Sequence, residues 1–425
     1  MNTHGNVVVK ILYGKELILP NQDIIDITIT ESIFSFCMYG SITFYDRIGW
    51  SEILQIQGST IPPICIMWKQ NDEEFVKKIF VVWESAPVKT ESQLENALTV
   101  RKWIFVEPVY HALTYKKFSK SWGEGTKAST IFDNVFRNFL NYKNTSTSFQ
   151  YYETPNETLD NFYMPSCELC ESLLWLMRRC SGEQSKRAGY LSFINSLGSN
   201  FITISNLFEK EYQKNEREIK SKTRVPYTFG YGTDDLTSIT DPEIIEPKKV
   251  KEYDVGGKNI YTVNHDGKKI ENEKITYSDQ IKNVEVKGAT TSSFAYNNYR
   301  PPVSLTGESD MDLAKNIEEN HWILNYFPSL MASLSVKGSA TRYAGMVIDI
   351  RWKSASSSLK VDSRLDGFWM VKTIFHQFRP TDAPVYKQNL ICMKPGYNKT
   401  ENGIELTLPK GTPSTNTTTV LESKK

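Results

Sequence analysis

The sequence predicts a mainly β protein with an α+β insert, and three observations carry that prediction. From Leu334 to Met393 the chain reads as successive strands, rich in Val, Ile, Phe and Trp and broken by turn formers. Residues 1 to about 108 have the same texture, with strict alternation of polar and apolar residues over Asp26 to Thr30. Between the two, apolar residues recur with the period of a helix at Ile131, Phe132, Val135, Phe136, Phe139 and Leu140. A mixed chain of this kind packs strands and helices in separate layers rather than in alternating βαβ units.

In chain order, Val7-Val8-Val9 and Ile24 to Thr30 are strands, and Phe36 to Tyr45 is another that contains Gly40. Ile61 to Trp68 opens on a double proline, which suits an edge or a strand beginning. Phe75 to Glu84 and Ala97 to Val106 complete a set of about six or seven strands with regular turn spacing, the pattern of a barrel or sandwich. The character changes at Glu107-Pro108. Thr126 is placed to cap a helix running to about Asn141, and a second helix is expected from Pro165-Ser166 through Arg178 and Arg179 to Gly182. Tyr190 to Asn195 and Phe201 to Ser205 form a hairpin across Ser196 to Asn200. The charged run Glu209 to Arg224 mixes both signs, as a helical connector or solvated strand does and a nucleic-acid patch does not. A further hairpin turns at Asp266-Gly267, and Ser309 to Trp322 reads as a helix with Ser309 as its cap. In the last strand set, Val336-Lys337-Gly338 closes one strand and Ala344-Gly345 marks a turn before Met346 to Trp352. Strands follow at Gly367 to Phe378 and Tyr386 to Met393.

These breaks divide the chain into a first β-domain at 1–108, an α+β module at 109–205, and a second β-domain at 206–395. The last carries a polar hairpin insert at about 240–290, and a Thr/Ser/Pro-rich tail at 396–425 is flexible or orders only on a partner. No sequence repeat links the two β-domains. A length of 425 residues exceeds what one core holds, and 40% hydrophobic residues suffice for packed cores. The 50 Lys and Arg against 49 Asp and Glu give no global attraction to nucleic acid or anionic lipid. Cys37, Cys65, Cys167, Cys170, Cys180 and Cys392 sit mostly in apolar segments, as reduced core thiols do. The N-terminus lacks the apolar run of a signal peptide, no stretch is long and apolar enough for a membrane span, and assembly or action in a reducing cytoplasm is expected.

No catalytic, cofactor-binding or metal-binding residue is predicted. Cys167-Glu168-Leu169-Cys170 has the CxxC spacing, but both cysteines are placed in the first turn of a helix and two further zinc ligands are missing. His4, His111, His265, His321 and His376 stand apart, and His376 alternates with Ile374 and Phe378 as a structural histidine in a strand. Gly123-Glu124-Gly125 lacks the lysine and the preceding strand of a phosphate loop. No GxSxG or distinctive carboxylate pair occurs. Asn144, Asn156 and Asn398 begin glycosylation triplets expected to be chance. The expectation is a protein that is not an enzyme.

The order of elements resembles the central baseplate hub of contractile-tailed bacteriophages of the T-even type, whose fold also opens VgrG-type secretion spikes. The segments that carry the resemblance are Ile29 to Asp46, Trp122 to Leu140, Met164 to Cys180, Ala188 to Ile204, and Leu334 to Lys394, over about residues 5 to 395. The resemblance implies two tube-like antiparallel barrel or sandwich domains plus the α+β module, assembling as a ring. It implies a homotrimer that adapts a six-fold tail tube to a three-fold central spike and contacts other baseplate proteins. Tape-measure protein or DNA would then pass through the lumen without specific binding. The implied location is the virion tail baseplate, with a phage-derived contractile injection or secretion device as the neighbouring alternative. A more distant one, a glycan-binding or cell-wall-degrading tail component, is motivated by 9 Trp and 22 Tyr.

Overall fold

The computed structural model describes residues 5–13, 15–50, 63–70, 72–87, 99–140, 149–159, 163–229, 236–245, 258–263, 270–275, 303–305, 311–352, 362, 365–380 and 385–395. The protein is mainly β. Seven strands come first: β1 (Gly5–Tyr13), β2 (Lys15–Leu19), β3 (Ile24–Ser32), β4 (Tyr39–Asp46), β5 (Pro63–Gln70), β6 (Val76–Pro87) and β7 (Thr99–Val106). Six more build the second β-region: β8 (Tyr227–Phe229), β9 (Ser238–Ile245), β10 (Leu330–Lys337), β11 (Val347–Arg351), β12 (Gly367–Arg379) and β13 (Val385–Lys394). All of them join one sheet in the order β2-β1-β5-β6-β7-β4-β3-β12-β11-β8-β9-β10-β13, and a β12–β13 pairing closes the second region into a barrel. Alternation decides which side chains fill the interiors, as in any small barrel. Ile27 and Ile29 of β3 point inward with Trp68, Phe80 and Trp103, whereas Leu334, Ile348, Trp369 and Leu390 fill the second barrel.

The two regions share one topology. Strands β3 to β7 pair as β5-β6-β7-β4-β3, antiparallel throughout. Strands β9 to β13 pair as β11-β12-β13-β10-β9, again antiparallel throughout. The match extends to an irregularity. At Val81 β6 passes from pairing β5 to pairing β7, and a bulge follows between Val82 and Glu84. At Met370 β12 passes from β11 to β13, and a bulge follows between Val371 and Thr373. Bulges re-aim a strand by adding twist, so their shared position marks a shared path. No residue identity announced this duplication, because Phe80 and Trp369 satisfy the same inward position by being apolar and large.

Between the β-regions lie helices α1 (Val109–Tyr115), α2 (Ala128–Phe139), α3 (Leu169–Met177) and α4 (Ile204–Lys220), and α5 (Met311–Tyr326) packs beside them. The predicted stripe of α2 is buried at Ile131, Phe132, Val135 and Phe136, but the helix begins later than predicted. Thr126 is not its cap: Thr126–Lys127 pairs with Thr158–Leu159, and the Thr126 hydroxyl donates to Gly123 O at 2.8 Å. The second helix is likewise shorter, because Tyr163–Glu168 is a strand paired with Lys117–Ser121. Pro165 tolerates a strand edge, and the tertiary ladder overrides the helical reading. Cys167 therefore lies in that strand rather than in the helix. The charged run forms most of α4, capped by Thr203, whose side chain accepts from Asn206 N. Tyr190–Ile194 and Ser199–Thr203 make the predicted hairpin, and Lys258–Val263 pairs with Ile270–Ile275 in the polar insert. Ser309 and the tail from residue 396 lie outside the described residues.

One glycine is fixed by close approach. A Cβ on Gly40 would meet the Phe105 ring at 2.7 Å and collide with the Thr28 carbonyl. Gly40→Ala is expected to cost about 1–3 kcal/mol of unfolding free energy through overpacking, measurable by denaturant titration; an unchanged midpoint would show that β3 and β4 separate freely.

Candidate functional site at the barrel junction

The two β-regions are welded where β12 crosses from one to the other. Beyond its bulge, the edge that β11 has left pairs with β3, from Thr373 opposite Ser32 to Phe378 opposite Ile27. Lys372, the bulged residue, turns its carbonyl to accept Ile33 N at 3.1 Å. Phe378 and Tyr386 belong to the first core although they lie late in the chain. Both β-regions are thus completed by the same hairpin, β12–β13.

Beneath the junction lies a dehydrated polar network. His376, fully buried, holds its Nε2 3.0 Å from Glu31 Oε1 and its Nδ1 2.8 Å from the Tyr386 hydroxyl. Tyr386 donates to Ser339 O at 3.1 Å, and Gln388 Nε2 donates to the same carbonyl at 2.8 Å. An Nε2–H that donates to Glu31 leaves Nδ1 to accept from Gln388 Nε2 at 3.1 Å, since the Tyr386 hydrogen goes to Ser339 O. Burial opposes charge on Glu31, yet the hydrogen bond and proximity of His376, with backbone donors Ala344 and Ser196, hold its carboxyl below the ordinary range.

The segment from Gly338 to Gly345 collects bonds from every part of the molecule. Glu73 accepts from Ala340 N at 2.7 Å, which ties the segment to the first β-region. Arg342 donates to Gln388 Oε1 at 2.6 Å, to the Tyr227 hydroxyl at 2.8 Å and to Leu236 O, which ties it to the second. From the helical module, Glu211 accepts from the Tyr343 hydroxyl at 2.8 Å, and Asn195 Nδ2 donates to Ala344 O at 2.9 Å. Lys78 of β6 donates to Asn195 O at 2.6 Å. Sequence reading saw only a turn here, because small residues around one Arg give no periodic signal. The arrangement ties the two β-regions and the helical module to one segment, Gly338 to Gly345.

The outer face of the welded sheet differs from its interior. Ser41, Thr28, Gln377 and Lys387 form one row across β4, β3, β12 and β13. The neighbouring row is Tyr39, Thr30, Phe375, Asn389 and Ser335. Hydroxyl and amide groups dominate this wall, as the alternation in Asp26 to Thr30 predicted.

The other residues singled out by sequence stay apart. Cys170 directs its thiol toward Glu168 at 3.7 Å, with burial first and then Glu168 pushing its pKa up, while Cys167 meets the Ser172 hydroxyl at 2.9 Å. Among the described residues, no three His, Cys, Asp or Glu side chains gather as a metal site. His111 packs at 5.2 Å from the Trp83 ring, His321 is exposed on α5, and His4 and His265 lie outside the described residues. Gly125 takes φ +73° in a turn that leads to a strand rather than directly to a helix. No helix among the described residues is long and apolar enough to cross a membrane.

No family model and no curated protein matches the sequence. Solved structures do match in fold. A tail protein from Neisseria meningitidis MC58 aligns with a TM-score of 0.56 at 8% identity, over 92% of this chain and 97% of that one. The 43 kDa tail protein of prophage MuSo2 from Shewanella oneidensis gives 0.57 at 13% identity, over 92% and 98%. A chain of the Francisella PdpA–VgrG complex gives 0.51 at 10% identity, over 94% of this chain and 55% of that one. The resemblance to baseplate hub proteins read from the sequence therefore holds at the level of fold.

Proposed function

We propose that the chain is a structural component of a tail baseplate: a homotrimeric hub, without catalysis, that adapts a six-fold tail tube to a three-fold central spike. The observation that carries this reading is the duplication of the β3–β7 unit in β9–β13, joined by direct β3–β12 pairing. A chain with two equivalent units presents six around a three-fold axis, which is what a symmetry adapter needs. The fold likeness to two tail proteins over nearly their whole length supports it. Most groups on this wall are hydroxyls and amides, which suits a conduit past which a polymer of phosphates slides, and Lys387 opposite Lys337 adds a cationic pair to it. Tail tube, spike and other baseplate proteins are the partners this reading assigns, and the virion tail is the place of action.

A second reading, the hub of a phage-derived injection or secretion device, is favoured by the likeness to the VgrG complex chain and uses the same geometry. Native mass measurement of the purified full chain is the test of the trimer. The expected result is three chains per particle at micromolar concentration. A monomer that persists at every concentration and within assembled baseplates would overturn the hub reading.

A further inference from the structure

We propose that the first β-region is a conditional domain: it holds its fold only when the closed second region, with the chain's last hairpin β12–β13, is docked on it. The folding claim stands on geometry alone. Its consequence rests on the hub reading above: the surfaces of a hub then exist only on a finished chain, and an unfinished one does not enter a ring.

Three parts of the first region are supplied by later segments of the chain. The first is an edge. From Ile27 to Ser32, β3 takes its second row of ladder partners from Phe378 back to Thr373, and otherwise has only β4. A strand edge left open over that length invites pairing with other chains. The second is the core. Ala340, Phe378 and Tyr386 are members of the first core cluster, and the Phe378 and His376 rings lie 6.3 Å and 5.6 Å from the Trp68 ring. Taking these side chains away leaves the fully buried Trp68 beside a void. The third is charge. Glu31 is held by His376 and by the backbone of Ala344 and Ser196, and Glu73 accepts from the Ser339 hydroxyl and Ala340 N. A carboxylate as deeply buried as Glu31 does not stay inside without those donors.

The dependence runs one way. The second region closes on itself, because β8 pairs with both β9 and β11 and the ladder returns through β10, β13 and β12. Among the described residues its core cluster draws on nothing before Tyr227. Domains ordinarily fold as units in the order of synthesis, the N-terminal one first. Here the unit made first waits for the strands made last. The chain then has three states: unfolded, second region folded alone, and both folded. Opening the first region is the lower step, and the second opens only once the first is already open.

Native-state hydrogen exchange of the full chain reads this order directly. In the wild type, the slowest amides of β10 and β11 are expected to be at least as protected as the slowest of β4 and β7. Two conservative variants then separate the regions: Ile42→Val thins the first core and Ile348→Val the second, both at fully buried positions. Because the second region opens only after the first, I42V is expected to speed the slowest exchange in both regions by one common factor, up to about tenfold for a buried Ile→Val change. I348V is expected to speed exchange in β10 and β11 and to leave β4 and β7 at the wild-type rate. Acceleration by I42V confined to the first region means that the regions open independently, and overturns the proposal. Acceleration of both regions by I348V overturns the one-way order, as do wild-type amides of β10 and β11 that exchange faster than those of β4 and β7. The hub reading fails separately. A monomer with the expected exchange pattern sinks the hub and leaves the dependence, whereas independent opening within a native trimer leaves the hub and sinks the dependence.

Discussion

Glu31→Ala is expected to lower the unfolding free energy by about 3–5 kcal/mol, the cost of removing one member of a buried, hydrogen-bonded pair. Glu31 is fully buried and accepts from His376 Nε2 at 3.0 Å and Ala344 N at 3.1 Å. Truncation leaves both donors dehydrated and without an acceptor, and the large term is that loss rather than the ion pair itself. Glu31→Gln keeps an acceptor and is expected to lose less, so the order wild type, E31Q, E31A by denaturant titration is the result to look for. The pH dependence has a definite sign. A carboxyl whose folded pKa lies below its ordinary 4.5 stabilises the fold above that pH and loses the contribution as pH falls through the lowered value. Wild type is therefore expected to weaken more steeply than E31A in the acid range below about pH 4.5. Parallel acid limbs for the two proteins would show that Glu31 is not the group responsible.

This junction also shows where sequence reading stops. Strands β12 and β13 were legible because apolar residues alternate through Ile374, Leu390 and Cys392, and period-two burial needs only local information. The buried stripe of α2 was legible for the same reason, with the period of a helix. His376 reads as a structural histidine of a strand, and it is fully buried there, but its partner Glu31 stands 345 residues away, and nothing in either neighbourhood announces the other. Thr126 was read as a cap because cap chemistry is local, whereas the ladder with Thr158–Leu159 that displaced it is not. The duplicated unit is the extreme case. Its evidence lies in pairing order and in two bulges, at Trp83 and Lys372, which are properties of registers and leave no trace in residue identity. Two units of one topology can therefore diverge in sequence while their pairing order and bulge positions are kept.

Glu107→Gln is expected to stabilise the protein at pH 8 and to change little at pH 5. Glu107 ends the first β-region, where β7 gives way to Pro108 and α1, and its carboxylate accepts Met38 N at 2.9 Å. Burial pushes its pKa up to about 7, against the opposing pull of Lys78 and the Met38 bond. A folded-state pKa above the ordinary 4.5 means that the fold takes up a proton between the two values. The associated stability is complete below about pH 4.5 and is lost as pH rises through about 7. The span between those values, at about 1.4 kcal/mol per pH unit, amounts to about 3.5 kcal/mol at most. Glutamine keeps an amide oxygen for Met38 N and never ionises, so E107Q is expected to remove most of that loss. Denaturant midpoints for wild type and E107Q at pH 5 and pH 8 decide the matter: the difference is expected to open only at the higher pH. An equal offset at both would assign the effect to packing. Lys78, which reaches Asn195 O at 2.6 Å and thereby ties the first β-region to the helical module, shares this environment.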